Sequence, residues 1–357
     1  MSIEEVAKRA RVSSATVSRT LNRVPTVHPR LAKRVWKVAS QMGYHPSTLA
    51  RALVSGRTQI LGLIVSDITN PFFPEIIQSF ENAAVELNYE ILLVSTRHNR
   101  ERMETSVRRM IERRVDGVAV LTSGMKEKVL RQLQDRKVPL VLVDTDSSFP
   151  GASNLRVDYQ HGIRQAVQHL AALRHRRIAF ITGPLTLPSA LTRKRAFENA
   201  LDEIRIRVNP HLVVEGDHTM EGGRRAFRGL IEKGLRPTAI MCSNDISAIG
   251  VMREAFERGV KVPEELSVIG FDDVPIARFT IPPLTSIRIS GAKMGRLAFE
   301  ALMAALQRER CSEANTEYVV NTEFVLRGST ALVLHTPKAA LLHRPLWRRK
   351  NDPFSNS

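Results

Sequence analysis

Arg19 stands among small residues, with Ser14, Ala15 and Ser18 sharing its face of a short amphipathic stretch whose other face carries Val17 and Leu21. A guanidinium fork can donate two parallel hydrogen bonds to O6 and N7 of guanine, and serine and alanine are short enough to meet base edges or a thymine methyl. Small residues around one long cation therefore suit a helix laid closely in a DNA major groove. A charge run alone is more commonly a solvated face, so the weight of this arrangement depends on the helices around it.

Those helices are legible. Ser2 and Glu5 have capping-box spacing, and Ile3, Val6, Ala7 and Ala10 recur on one helical face. Ser13 is a good N-cap for the stretch carrying Arg19, with Val12 and Val17 spaced as a hydrophobic staple. Only Arg11 to Ser13 separate the two helices, which predicts a helix-turn-helix. A third helix is expected from Pro29, with Leu31, Val35, Val38 and Met42 on one face, Gly43 closing it and Trp36 near the shared core. Residues 1–57 hold eleven Lys/Arg and two Glu, a net of +9 within the chain's +17, which points to a polyanion at this end.

The rest of the chain reads differently. Val/Ile/Leu-rich runs at 60–65, 91–95, 118–121, 140–143, 178–182, 239–243 and 268–271 alternate with amphipathic stretches at 74–87, 102–113, 162–173, 189–204, 246–258 and 292–306. Continuously apolar strands belong to parallel sheets covered on both faces, and the alternation predicts doubly wound α/β architecture. A chain of 357 residues exceeds what one core organises. The fold class expected is an all-α helix-turn-helix head and an α/β body of two doubly wound parallel-sheet lobes. The divisions are a head over 1–45, a hinge over 46–57, a ligand-binding and dimerisation body over 58–330 and a basic tail over 331–357.

Enzyme signatures do not emerge: there is no P-loop, dinucleotide fingerprint after a strand, nucleophile elbow or H-E-x-x-H helix. No catalytic residue, cofactor or metal site is assigned. Asp272 and Asp273 are neighbours at a strand end, where successive side chains point in different directions, which argues against a general acid/base pair. Cys242 and Cys311 form neither a disulfide framework nor a ligand pair, as expected in the cytoplasm. No apolar run approaches the roughly 20 residues of a membrane span, and Met1–Arg11 is charged and helical in pattern, unlike an export signal.

The stretch Val6-Ala-Lys-Arg-Ala-Arg-Val-Ser-Ser-Ala-Thr-Val-Ser-Arg-Thr-Leu-Asn22 resembles, at nearly every position, the head of the lactose/purine-repressor (LacI) family. Gly43-Tyr-His-Pro-Ser47 and Ala50-Arg-Ala-Leu53 are similar to that family's hinge, a segment that becomes helical on operator DNA. The resemblance implies DNA contacts from Ser13, Ser14, Ala15, Thr16, Ser18, Arg19, Asn22 and Ala50, and makes Leu53 a wedge in the minor groove. Such a wedge costs a few kcal/mol of unstacking, recovered by bending DNA onto more protein. Arg11 stands where the family usually has glycine, so a positive φ is expected there. His28 replaces the usual serine cap of the third helix, and Arg174 replaces a glycine before a strand, where an altered turn is expected.

The body resembles the sensor domain of the same family and, more distantly, periplasmic sugar-binding proteins, over about 60–330. The matching stretches are Asp67-Ile-Thr-Asn-Pro-Phe-Phe73, Arg114-Val-Asp-Gly-Val118, Gly183-Pro-Leu185, Ser243-Asn-Asp245, Val268-Ile-Gly-Phe-Asp-Asp273 and Pro283-Leu-Thr-Ser286. In that fold a ligand sits between the lobes at the carboxyl ends of the strands. The effector contacts so implied are Asn70, Phe72, Phe73, Asp144, Ser189, Arg193, His218, Asn244 and Asp272. Phe72 and Phe73 read either as platforms for a sugar or base or as helix-start core residues, Asp144 as a contact or a turn residue, and Arg193 as a contact or a surface cation. Asp273 reads as a cap or structural turn residue rather than a ligand contact. His218, where an aromatic often closes the pocket, and Ile289, where an amide is common, depart from the pattern for a simple pentose.

The resemblance implies a transcriptional repressor acting as a homodimer on double-stranded operator DNA, with a sugar-like effector. A solute-binding module, an α/β enzyme carrying a DNA-binding head and a nonspecific DNA-compacting protein are the competing readings; turnover of a ligand would favour the second, equal affinity for all sequences the third.

Overall fold

The computed structural model describes residues 2–21, 25–44, 56–97, 99–122, 125–144, 149–307 and 316–333. Asn22, Ala50, Leu53, Cys311, most of the hinge and residues 334–357 lie outside the described residues. The chain divides into two compact units, the first of residues 1–158, 187–189 and 289–322, the second of residues 159–186, 190–288 and 323–357.

Caps delimit the head, which belongs to the first unit. In α1 (Ile3–Ala10) Ser2 Oγ accepts from the Glu5 amide, and Glu5 Oε2 accepts from the Ser2 amide at 2.7 Å. The helix closes through Arg11 at φ 52°, whose amide and that of Val12 donate to Lys8 and Ala7, a Schellman closure that ordinarily uses glycine. Arg34 Nη2 donates to the Arg11 carbonyl at 3.3 Å. Ser13 Oγ caps α2 (Ser14–Leu21) by accepting from the Thr16 amide at 3.2 Å. His28 Nδ1 accepts from the Arg30 amide at 3.3 Å at the start of α3 (Pro29–Gln41), so an imidazole performs the serine's capping role.

Val6, Ala7, Ala10, Val17, Leu21, Val35 and Ala39 make the head's core. Trp36, expected near it, is 44% exposed. The buried stripe on α3 runs through Val35 and Ala39, four residues apart, and a residue one position from such a stripe is turned away by about a quarter of a helical circuit.

The remainder of the first unit is built on β1 (Ile60–Val65), β2 (Glu90–Ser95), β3 (Gly117–Leu121), β4 (Leu140–Val143) and β5 (Ser153–Asp158), with α4 (Phe73–Glu86), α5 (Arg100–Glu112) and α6 (Glu127–Gln134). The second unit has β6 (Ile178–Thr182), β7 (Val213–Glu215), β8 (Ala239–Cys242) and β9 (Ser267–Ile269), with α7 (Tyr159–Ala172), α8 (Pro188–Glu203), α9 (Met220–Glu232) and α10 (Asp245–Glu257). The chain then runs through β10 (Ser286–Ile289), α11 (Gly291–Gln307) and β11 (Glu317–Val325).

One sheet has the order β10-β11-β5-β4-β3-β1-β2, the other β7-β6-β8-β9. Neighbours from β2 through β11, and all neighbours in the second sheet, pair in parallel. The order reverses between β1 and β3 and again between β6 and β8, so each sheet has a topological switch point with a crevice at its carboxyl edge.

Packing inside the second unit fixes what lies beyond β7. Gly223 on α9 has no room for a side chain: a Cβ there would lie 2.1 Å from the Ser247 carbonyl oxygen on α10. The same two helices share Glu254, which accepts from Arg228 Nη2 at 2.9 Å, Arg258 Nε at 2.8 Å and Arg224 Nη2 at 3.2 Å. These guanidinium bonds, Arg228 first, hold its carboxyl down to about 2 against the opposing effect of burial.

Arg174, where an altered turn is expected, takes φ 67° and ends α7 through bonds from Arg174 and His175 to Ala171 and Leu170. Residues 331–333, placed with the tail on sequence grounds, are bonded to the second unit: the Ala331 amide donates to Ser267 Oγ at 3.0 Å and the Val333 amide to the Leu173 carbonyl at 3.0 Å. Among the described residues no helix is long and apolar enough to cross a membrane.

Candidate functional site

On α2, Ser14, Ala15 and Arg19 are exposed and Thr16 and Ser18 half-exposed, while Val17, Thr20 and Leu21 are buried. The outward face therefore carries the guanidinium and the two small residues that could approach a base edge. Ser13 is exposed, but its hydroxyl caps the helix and lies 2.9 Å from Thr16 Oγ1. That pair sets where the helix begins. Thr20, not singled out from sequence, turns its hydroxyl back to the Thr16 carbonyl at 2.8 Å.

The second constellation is in the second unit, in the loops that follow β6, β8 and β9. Arg193 projects from α8 and is 7% exposed. Its Nη1 donates to the Ser243 carbonyl at 2.5 Å, its Nη2 to Tyr159 Oη at 3.4 Å, and Asp272 Oδ1 lies 3.9 Å from Nη2. The guanidinium carbon sits 4.8 Å from the Tyr159 ring centre and 4.5 Å from that of Phe271. A cation held between two aromatic faces and a carboxylate is fixed in direction before any ligand arrives. Of the two readings of Arg193, the surface cation is thus excluded.

Asp272 is 6% exposed and takes φ 99°, a conformation few non-glycine residues adopt and one that marks strain at a site. His218, after β7, also has positive φ, 62°. Its Nδ1 is 3.3 Å from Ser243 Oγ, and its ring lies so close to Gly183 that a Cβ there would be 1.9 Å from Nε2. Glycine after β6 is what admits the imidazole.

Asn244, expected to touch the effector, is 1% exposed and spends its amide on structure. Its Oδ1 caps α10 by accepting from the Ser247 amide, and its Nδ2 donates to the His218 carbonyl, both at 2.9 Å. It positions His218, and each of its two polar atoms already serves the protein. Asp273 fits its structural reading: Arg288 Nε donates to Oδ2 at 2.8 Å and Arg327 Nη2 lies 2.6 Å from Oδ1.

Beneath these residues sits Asp245, fully buried and not identified from sequence. Its Oδ1 accepts from Ser286 Oγ at 2.5 Å and its Oδ2 from the Val274 amide at 2.8 Å. Burial, and then the neighbouring Asp272, push its carboxyl well above the usual carboxylate range despite those bonds, and Asp273 adds to the push. Asp245 can therefore hold its proton where exposed carboxylates have lost theirs.

The other expected contacts are in the first unit. Asn70 Oδ1 accepts from the Phe72 amide at 3.0 Å, shaping the turn into α4. Phe73 is 8% exposed and belongs to the core, which decides against its reading as a platform; Phe72 is half-exposed and meets it edge-on with centroids 5.4 Å apart. Asp144 has φ 55° and its amide donates to the Leu155 carbonyl at 2.8 Å. Ser189, in the first turn of α8, is half-buried and counts with the first unit. Ile289 is buried.

Among the described residues no cluster of His, Cys, Asp or Glu is arranged to hold a metal. Residues 2–47 match the pattern of bacterial regulatory proteins of the lacI family, and residues 167–330 that of a periplasmic binding protein-like domain. The HTH-type transcriptional repressor PurR of Aliivibrio fischeri is 32% identical over 335 residues, covering 92% of this chain and 98% of its own length. Among solved structures, the Lac repressor dimer bound to operator and the anti-inducer ONPF matches with a TM-score of 0.83 and 25% identity, over 93% of this chain and 99% of that one. The complex of the transcriptional regulator CelR with cellobiose matches with a TM-score of 0.71 and 28% identity, over 92% and 99%.

Proposed function

Because the chain belongs to the lacI family of bacterial regulatory proteins, and is a DNA-binding transcriptional repressor rather than an enzyme, we propose that it works in the cytoplasm as a homodimer on a pseudo-palindromic operator, its affinity set by a sugar or sugar derivative.

Ser14, Ala15 and Arg19 read base edges, with Ser13, Thr16 and Ser18 holding α2 and its backbone contacts in register. Asn22, Ala50 and Leu53 complete the DNA contacts in this proposal. One head of this size covers few base pairs, so specificity requires two heads in two-fold relation. Each unit exposes apolar residues suited to a subunit contact: Val85 and Leu87 in the first, Phe279 and Ile281, 77% and 96% exposed, in the second.

The effector reading rests on Arg193. A buried, preoriented guanidinium beside Asp272, with His218 close by, sits at the carboxyl edge of a sheet near its switch point, where vicinal hydroxyls can be gripped by charge-assisted bonds. CelR in its complex holds cellobiose, which accords with a hydroxyl-rich ligand. Asn70, Phe72, Asp144 and Ser189 enter the proposal through the family resemblance alone. Binding that alters the dimer would shift operator affinity by a coupling free energy of roughly 1–3 kcal/mol.

The test is selection of bound sequences from random DNA by the purified protein, alone and with pools of sugars or nucleobases. A two-fold symmetric sequence whose enrichment changes with the sugar pool is expected. A response to nucleobases alone overturns the effector assignment, and no enriched sequence in any condition overturns the operator reading.

A further inference from the structure

The second unit has another concavity, at the opposite, amino edge of its sheet. It encloses about 320 Å³ and is lined by four arginines, Arg176, Arg177, Arg207 and Arg236, with Asn209, while none of the described residues lining it is acidic. Its volume is at the lower end of what small-molecule sites offer. With β6 only five residues long, this edge is ~16 Å from the loops around Arg193.

Two of the arginines are set by the same local device. Arg176 Nη1 donates to the carbonyls of Ala171 and His175, at 3.3 and 2.9 Å; Arg236 Nη1 donates to those of Ile231 and Leu235, at 2.8 and 3.0 Å. Each thus bonds the residue five back, at the end of its preceding helix, and the residue before it. Both then lead into paired strands, since Ile178 of β6 aligns with Ala239 of β8. Arg207 precedes β7, the other neighbour of β6. Three adjacent strands therefore bring guanidinium groups to one cavity, two anchored by helix-end carbonyls through a single nitrogen. The side chains of Arg177 and Arg207 hydrogen-bond no protein group among the described residues.

We propose that this cavity binds a compact phosphate-bearing anion with two or more negative charges. Guanidinium forks match phosphate oxygens in pairs, and several forks from separate loops exceed what one carboxylate can satisfy. Like charges gathered without an acid in the lining repel one another, and a polyanion relieves that repulsion. The site is separate from the proposed effector site and does not depend on it.

Isothermal titration of the full chain with inorganic pyrophosphate, and with inorganic phosphate for comparison, tests this. Pyrophosphate is expected to bind at one site per chain, more tightly than phosphate and more weakly as salt is raised. All four arginines are exposed, and Arg177 and Arg207 are the pair to change, because Arg176 and Arg236 also serve the helix ends. In Arg177→Gln/Arg207→Gln the affinity is expected to fall roughly tenfold or more, with thermal unfolding unchanged. A double variant that titrates like the parent overturns the proposal, since the anion then sits elsewhere, as on the basic head. Equal affinity for the two anions, or no heat at millimolar pyrophosphate, overturns it too.

Discussion

Asn244 joins two loops of the second unit, donating from Nδ2 to the His218 carbonyl at 2.9 Å while Oδ1 receives the Ser247 amide at the same distance. Asn244→Asp keeps the cap but sets an acceptor against a carbonyl. The expected outcome is a loss of about 1–3 kcal/mol in urea unfolding together with a weakened effector response. An effector response retained at full strength in a destabilised Asn244→Asp protein would disconnect His218 from the effector.

Arg193 and Asp272 are best tested together. Arg193→Met leaves the buried Asp272 carboxylate without that guanidinium and is expected to cost about 3–5 kcal/mol, whereas Arg193→Met/Asp272→Asn, which removes both charges, should recover part of that loss. Strictly additive costs in the double-mutant cycle would mean that the 3.9 Å pair is not coupled. Both variants should still bind DNA in the absence of effector.

Gly183 is the space in which the His218 ring lies. Gly183→Ala drives a methyl into the imidazole, so a loss of about 1–3 kcal/mol is expected, along with loss of the effector's effect on unfolding temperature. Truncating the obstacle in Gly183→Ala/His218→Ala should restore the stability without restoring the effector response. If the double variant is no more stable than Gly183→Ala, the close approach is not the cause.

The alternation of apolar runs with amphipathic stretches is strong enough to read because buried parallel strands such as Gly117–Leu121 have no solvent face to interrupt them. β5 and β11 escape the same reading: Ser153–Asp158 and Glu317–Val325 alternate buried and exposed positions, and their polar residues break the apolar run. At the site, Arg193, His218 and Asp272 are legible through the resemblance. Tyr159 and Phe271 are not, because their role is to bracket a guanidinium from distant parts of the chain. Asp245 looks like any first-turn acid of a helix; its burial, and then the approach of Asp272 and Asp273, change its chemistry. The structural bonds of Asn244 are illegible for a related reason, since a loop asparagine that caps a helix and one that grips a ligand share the same local sequence.

Acidification should weaken the second unit through His175. The imidazole is 2% exposed, and burial brings it from 6.5 down to about 4, against the bond to the Ala331 carbonyl and with help from neighbouring His169. The unfolded chain therefore takes up this proton first. Stability present above about pH 6.5 is lost as pH falls towards about 4, on the order of 3 kcal/mol in all. His169, also lowered by burial, acts in the same direction, while the Glu254 contribution is lost only below about pH 4.5. Urea unfolding at about pH 7 and about pH 5 should show a smaller difference for His175→Gln than for the parent; equal differences would assign the pH dependence elsewhere.

Ser13 and Arg19 should separate folding of the head from reading of the base. Ser13→Ala removes the N-cap of α2 and the partner of Thr16 Oγ1, at a cost of about 1 kcal/mol, and the disturbed helix start should weaken all DNA sequences to a similar degree. Arg19→Ala leaves the caps and the core untouched, because the side chain is exposed and Val17 and Leu21 face inward. Its loss should lower discrimination at one operator base pair and its symmetry mate by about 1–3 kcal/mol each, with nonspecific affinity nearly preserved. Binding to operator variants substituted one pair at a time measures the difference. If Arg19→Ala weakens every variant equally while discrimination survives, Arg19 contacts phosphate, and the base-reading role passes to Ser14 and Ala15.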